Sequence, residues 1–217
     1  MIAPSAPETA VDNSPGGAST IRRARIQPRW LRITHWVNAI AVLIMVTSGW
    51  QIYDASPIFP SIYFPTAITL GGWLGGALLW HFAAMWLLAG NFLIYVTLNV
   101  VSGRFARMLL PLSLRGVAVD LWAALRGVLS HKDLSRYNQV QKLAYVAVIA
   151  DIVLLIVSGL TLWKSVQFPL LRNLLGGYDA TRVVHFFAMA LLVGFVALHV
   201  VMAVLVPRSL LIILRGR

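Results

Sequence analysis

The chain of 217 residues contains no cysteine, and only 12% of it is charged. Without cysteine it can hold no iron–sulfur cluster, no thiolate zinc site, no covalently attached c-type haem and no disulfide. Any metal or cofactor must rely on histidine, carboxylate or packing. Acidic residues are scarcest, 7 against 18 Lys and Arg. Apolar residues fill the difference: 59% of the chain is hydrophobic and the mean hydropathy is +0.79, a membrane composition. The net charge of +11 lies beside long apolar runs rather than on a soluble basic face, so a nucleic-acid partner is set aside.

A helix needs roughly 20 mostly apolar residues to cross a hydrocarbon core, because its backbone must satisfy its own hydrogen bonds there. Four stretches qualify, at about 33–53, 73–101, 143–163 and 183–206. They predict an all-α, four-helix membrane bundle spanning 29–210. Residues 1–28, rich in Ala, Ser, Pro and Gly, read as a disordered tail, and 211–217 as a short basic C-terminus. Arg22-Arg23 ahead of an apolar stretch suggests a twin-arginine signal, but the stretch is of full spanning length and no small-residue cleavage site follows it. Read along its length, the sequence shows no internal repeat.

All Lys and Arg except Lys164, Arg172 and Arg182 precede the first span, fall in 104–142 or follow the fourth span. The positive-inside rule then places both termini and the middle segment in the cytoplasm, with 54–72 and 164–182 outside. Within the middle segment Val117, Leu121, Trp122 and Leu125 recur at helical spacing between Arg115 and Arg126. They predict a helix that lies in the inner interface or packs beneath the bundle.

Intramembrane histidine is rare and points to a functional site. His35 lies near the inner end of the first span and His199 near the inner end of the fourth; His81 and His185 lie toward the outer ends of the second and fourth. His185 and His199 are separated by about 21 Å of helix and by some 40° less than four full turns, so they share one face. Each thus has a partner at matching depth on another span: His35 with His199, and His81 with His185. Two imidazoles at each of two levels suit two bis-histidine haem irons, an arrangement for electron transfer rather than oxygen binding. A non-haem metal transporter is the rival from another class, but such sites gather histidine and carboxylate at one level.

Arg32 and Arg182 each stand one turn outward of a histidine, where a haem propionate would need a cation. Gly49 lies on the His35 face at the outer level and would leave room for a porphyrin, as would Gly159 in the third span. Asp151, in mid-membrane, is a candidate for proton or quinone chemistry. Asn91, Tyr95 and Asn99, with Tyr137, Asn138, Gln139 and Gln141, are further polar candidates, while His131 has no assigned role.

The segments RWLRITHW, SGW, WHFAAMW, NQVQKLAY, SGLTLW, RVVHFFAM and LHVVM resemble the bacterial cytochrome b561 family over about residues 29–210. The family includes the b-type subunits of nickel–iron hydrogenase, formate dehydrogenase and thiosulfate reductase complexes. The resemblance implies an inner-membrane protein with two non-covalent haem b groups, the inner held by His35 and His199 and the outer by His81 and His185. It implies electron transfer between a periplasmic oxidoreductase, of hydrogenase or molybdoenzyme type, and membrane quinone. Some small relatives resemble stand-alone enzymes that oxidise superoxide and reduce ubiquinone. That alternative calls for an electropositive outer mouth, toward which Lys164, Arg172 and Arg182 contribute against Asp54 and Asp179.

Overall fold

The computed structural model describes residues 28–126 and 138–206, together with 210, 213 and 214. The tail at 1–27, His131, Tyr137, Arg208, Arg215 and Arg217 lie outside the described residues. Four long helices, α1 (Arg29–Ala55), α2 (Leu74–Val101), α5 (Gln139–Trp163) and α7 (Tyr178–Leu205), are each long and apolar enough to cross a membrane. Three short ones connect them: α3 (Arg104–Leu109), α4 (Leu114–Leu125) and α6 (Pro169–Leu174). The fold is the expected all-α bundle. Its long helices begin about four residues before three of the expected spans, because polar first turns such as Arg29–Arg32 and Gln139–Lys142 are helical too.

Those first turns form for local reasons. At α5, Asn138 Oδ1 accepts the Gln141 N–H at 2.7 Å while Gln141 Oε1 accepts the Asn138 N–H at 3.1 Å, a reciprocal capping box. Asp120 of α4 accepts the Gln139 N–H at 2.7 Å, and Gln139 in turn accepts the Ser113 N–H at 3.1 Å. These contacts dock α4 under the start of α5. Leu121 and Trp122 stay exposed on α4, with Arg126 over the Trp122 ring, so this helix both packs beneath the bundle and leaves an apolar side uncovered. Before α2, Gly71 has φ 116°, and a Cβ there would lie 2.3 Å from the Ala77 nitrogen. Only glycine allows that approach.

The closest packing pairs α1 with α2 and α5 with α7, giving two antiparallel hairpins. Their interiors are built from small residues: Ala41, Ala77, Ala84, Ala188, Ser48, Ser158, Thr161 and Thr181 are all buried. Large apolar side chains such as Leu43, Leu79, Trp86, Leu93 and Leu191 face outward. This inversion of a soluble core is expected where lipid tails are as apolar as leucine and helices associate through close backbone approach. Asn91 of α2 links the first hairpin by donating to the Thr34 carbonyl at 2.8 Å and to Asn38 Oδ1 at 2.6 Å.

Between the hairpins the contacts are aromatic and polar. Tyr53 of α1 stacks on Phe186 of α7 at 4.9 Å, and Phe82 and Trp86 of α2 meet Trp163 of α5. The segment after α1 folds back over this end, with Phe64 stacked on Trp50 at 4.8 Å and Phe59 against Phe186. Arg182 reaches across to the Ser56 carbonyl at the end of α1.

Candidate histidine layers between two helical hairpins

The four intramembrane histidines fall into two layers. Toward the α4 end, His35 of α1 and His199 of α7 have ring centroids 6.0 Å apart at an interplanar angle of 67°. Trp36 meets the His35 ring edge-on at 5.4 Å, and Phe195 stacks on His199 at 5.9 Å. Toward the α6 end, His81 of α2 and His185 of α7 are within electrostatic reach of each other. The helices thus bring His35 and His199 together and set His81 and His185 at the other end of the bundle.

Each imidazole of the second layer is seated in the same way. His81 Nδ1 lies 3.0 Å from Ser48 Oγ, and His185 Nδ1 lies 2.8 Å from Ser158 Oγ. A Cβ on Gly49 would meet His81 Cε1 at 3.4 Å, and one on Gly159 would meet His185 Cε1 at 3.2 Å. The room left by Gly49 and Gly159 is thus filled by histidine edges, each ring lying against a Ser-Gly step of the facing helix in its own hairpin. Neither serine was singled out for a role by the sequence reading, and both are completely buried.

This duplication corrects the reading that the chain has no internal repeat. Ser48-Gly49 of α1 recurs as Ser158-Gly159 of α5, and HFAAMWLLAG of α2 recurs as HFFAMALLVG of α7. The helices begin at equivalent positions, Arg29 with Gln139 and Leu74 with Tyr178. The repeat is hard to see because several exposed positions differ, such as Trp86 against Ala190. It also breaks at the first layer. Tyr145 stands where the repeat would place His35, Tyr95 where it would place His199, and both line a cavity of about 30 Å³ with Leu31, Asn99 and Arg104.

Other sequence candidates are engaged elsewhere. Arg32 donates from Nε to the Ile213 carbonyl at 2.9 Å and also bonds the Leu214 carbonyl, while Arg182 holds Ser56 and lies 4.0 Å from Asp179. Asn99 donates to the Tyr95 carbonyl at 2.8 Å. Asn138, Gln139 and Gln141 form the start of α5 described above. Asp151 is 6% exposed, and its Oδ2 has no hydrogen-bond partner among the described residues. An orphaned buried acceptor costs about 1–3 kcal/mol. Asp151→Leu is accordingly expected to stabilise the protein by about that amount, read as a higher Tm in detergent; a lower Tm would show that the carboxyl has a stabilising partner.

The donor set suits haem. Four imidazoles at two levels, with no cysteine in the chain, offer nitrogen ligands alone. The hydrogen bonds at Nδ1 of His81 and His185 leave the other ring nitrogen of each for a metal.

A membrane bundle whose facing helices present paired histidines at two depths is the architecture of a membrane cytochrome b. The chain matches the prokaryotic cytochrome b561 family over residues 26–215 and belongs to it. It is similar to a protein of Azospira oryzae named as the protein-methionine-sulfoxide reductase subunit YedZ1, with 61% identity over 191 residues that cover 88% of this chain and 96% of the relative. The protein is thus a multi-pass cytochrome of the bacterial inner membrane that binds haem b and transfers electrons.

Proposed function

We propose that the protein carries two haem b groups, one between His35 and His199 and the other between His81 and His185, and exchanges electrons between membrane quinone and a periplasmic reductase. The pairing of four histidines at two levels carries this reading. With the charge distribution setting both termini inside, the His81/His185 layer faces the periplasm. When bound, the haems supply one-electron redox chemistry in the membrane interior. The chain's own part is to hold each iron from two helices and to keep water from the sites. At the outer end, Tyr53, Phe59, Phe64 and Phe186 form an aromatic cover that does the latter.

The name and high identity of the Azospira oryzae relative support a methionine-sulfoxide-reducing enzyme as the periplasmic partner, in preference to a hydrogenase. Electrons then run outward, from quinol to the partner. For the quinone we propose the groove of about 510 Å³ bordered by Arg29, Arg32, Trp36 and Ile40, because Trp36 connects it directly to His35. Asp151 lies on α5 midway between the two layers, and we assign it a proton-handling role. Asp151→Asn is expected to slow quinone turnover severalfold without loss of haem, and unchanged quinone kinetics would remove the assignment.

The overall reading is tested by a reduced-minus-oxidised spectrum of the purified protein with pyridine haemochrome quantitation. Roughly two low-spin haems b per chain are expected. A single haem b per chain would overturn it.

A further inference from the structure

We propose that Ser48 and Ser158 are positioning residues that fix the tautomer of His81 and His185 and lower the reduction potential of the haem between them. The inference rests on the ligand reading above. Its basis is the direction of the hydrogen bonds. Ser48 Oγ lies 2.6 Å from the Ile44 carbonyl and 3.3 Å from the Met45 carbonyl; Ser158 Oγ lies 2.6 Å from the Leu154 carbonyl and 3.3 Å from the Leu155 carbonyl. Carbonyls only accept, and a serine hydroxyl has one proton. That proton is committed to the helix backbone in both cases. The oxygen can therefore meet histidine only as an acceptor, and Nδ1 must be the nitrogen that carries hydrogen. Nε2 is left with its lone pair, the form a haem iron binds.

Two further observations support this assignment. The arrangement occurs twice, on different helices, at the two positions the repeat makes equivalent. Both serines are also completely buried, so no water competes for the bond. Donation from Nδ1–H to a fixed oxygen makes the opposite nitrogen a stronger electron donor, which favours ferric over ferrous iron.

The test is redox titration of the haem-loaded protein in detergent, comparing wild type with Ser48→Ala, Ser158→Ala and the corresponding Thr variants. Thr keeps the hydroxyl, and Thr47 of α1 and Thr161 of α5 already make the same backbone bond one turn back. Each Ala variant is expected to change the ferric-to-ferrous preference of one haem by about tenfold, a rise of ~59 mV for one electron. The other haem keeps its potential, and Thr restores the wild-type value. Unchanged potentials in both Ala variants would overturn the proposal, as would equal shifts of both haems. Haem loss restored by Thr supports it; haem loss that Thr does not restore marks a purely steric role and overturns it. The ligand reading is judged separately by whether His81→Ala removes the haem whose potential the serines control.

Discussion

His199→Ala is expected to remove the haem of the α4-end layer and leave the other in place, and His81→Ala to do the reverse. Each variant should fall from roughly two haems b per chain to one, counted by pyridine haemochrome, with the surviving haem still low-spin. The selectivity follows from the geometry: His35 and His199 form one pair, while His81 and His185 are seated in separate Ser-Gly steps about 21 Å of helix away. Neither change should collapse the bundle, because the Ala, Ser and Thr residues buried between the helices remain in place. Two low-spin haems remaining in either variant would refute the pairing. Loss of both from a protein that still purifies as a folded bundle would mean that the layers are not independent.

The glycines give the second large effect, and the two are not equivalent. A Cβ on Gly49 would touch His81 at 3.4 Å, ordinary contact, whereas on Gly159 it would meet His185 at 3.2 Å, close enough to require the ring to give. Gly49→Ala should therefore be tolerated, with a gain of up to about 1 kcal/mol from helix propensity. Gly159→Ala should shift the spectrum of that haem while retaining it. Leucine at either position would extend the side chain beyond the Cβ that already meets the imidazole. Both Leu variants should lose the α6-end haem as completely as His81→Ala does, with the His35/His199 haem intact. Full haem content in Gly159→Leu would show that the histidine seat is not required. A melting curve for each variant separates this local effect from general unfolding.

The four helices were legible because a spanning segment must be long, apolar and uninterrupted, a demand so strict that composition alone exposes it. The two histidine levels were legible for a related reason: in a membrane, depth is a coordinate that can be counted along the chain. What the sequence concealed were interactions across helices. Ser48 and Ser158 look like common small residues of membrane helices until their oxygens are found beside Nδ1. Gly49 was noticed as an absence of side chain, but only the fold reveals that the His81 ring lies against it. Conversely, Asn138, Gln139 and Gln141 carry hydrogen-bonding groups that suit a ligand, and the structure spends them on the start of α5. Polar character alone does not distinguish a cap from a binding group.

The shared seats of the two hairpins have a consequence for how such a protein can arise. At the α6-end layer, each half supplies a histidine from its second helix and a Ser-Gly step from its first. A single hairpin, associating with a copy of itself, would already contain everything that layer uses. The α4-end layer is different, since it takes His35 from one half and His199 from the other, with Tyr145 and Tyr95 at the alternate positions. A symmetric dimer would carry imidazole or phenol at both equivalent places and could not make this choice. The α6-end layer is therefore within reach of duplication alone, whereas the α4-end layer becomes specific only once the halves are fused and free to diverge.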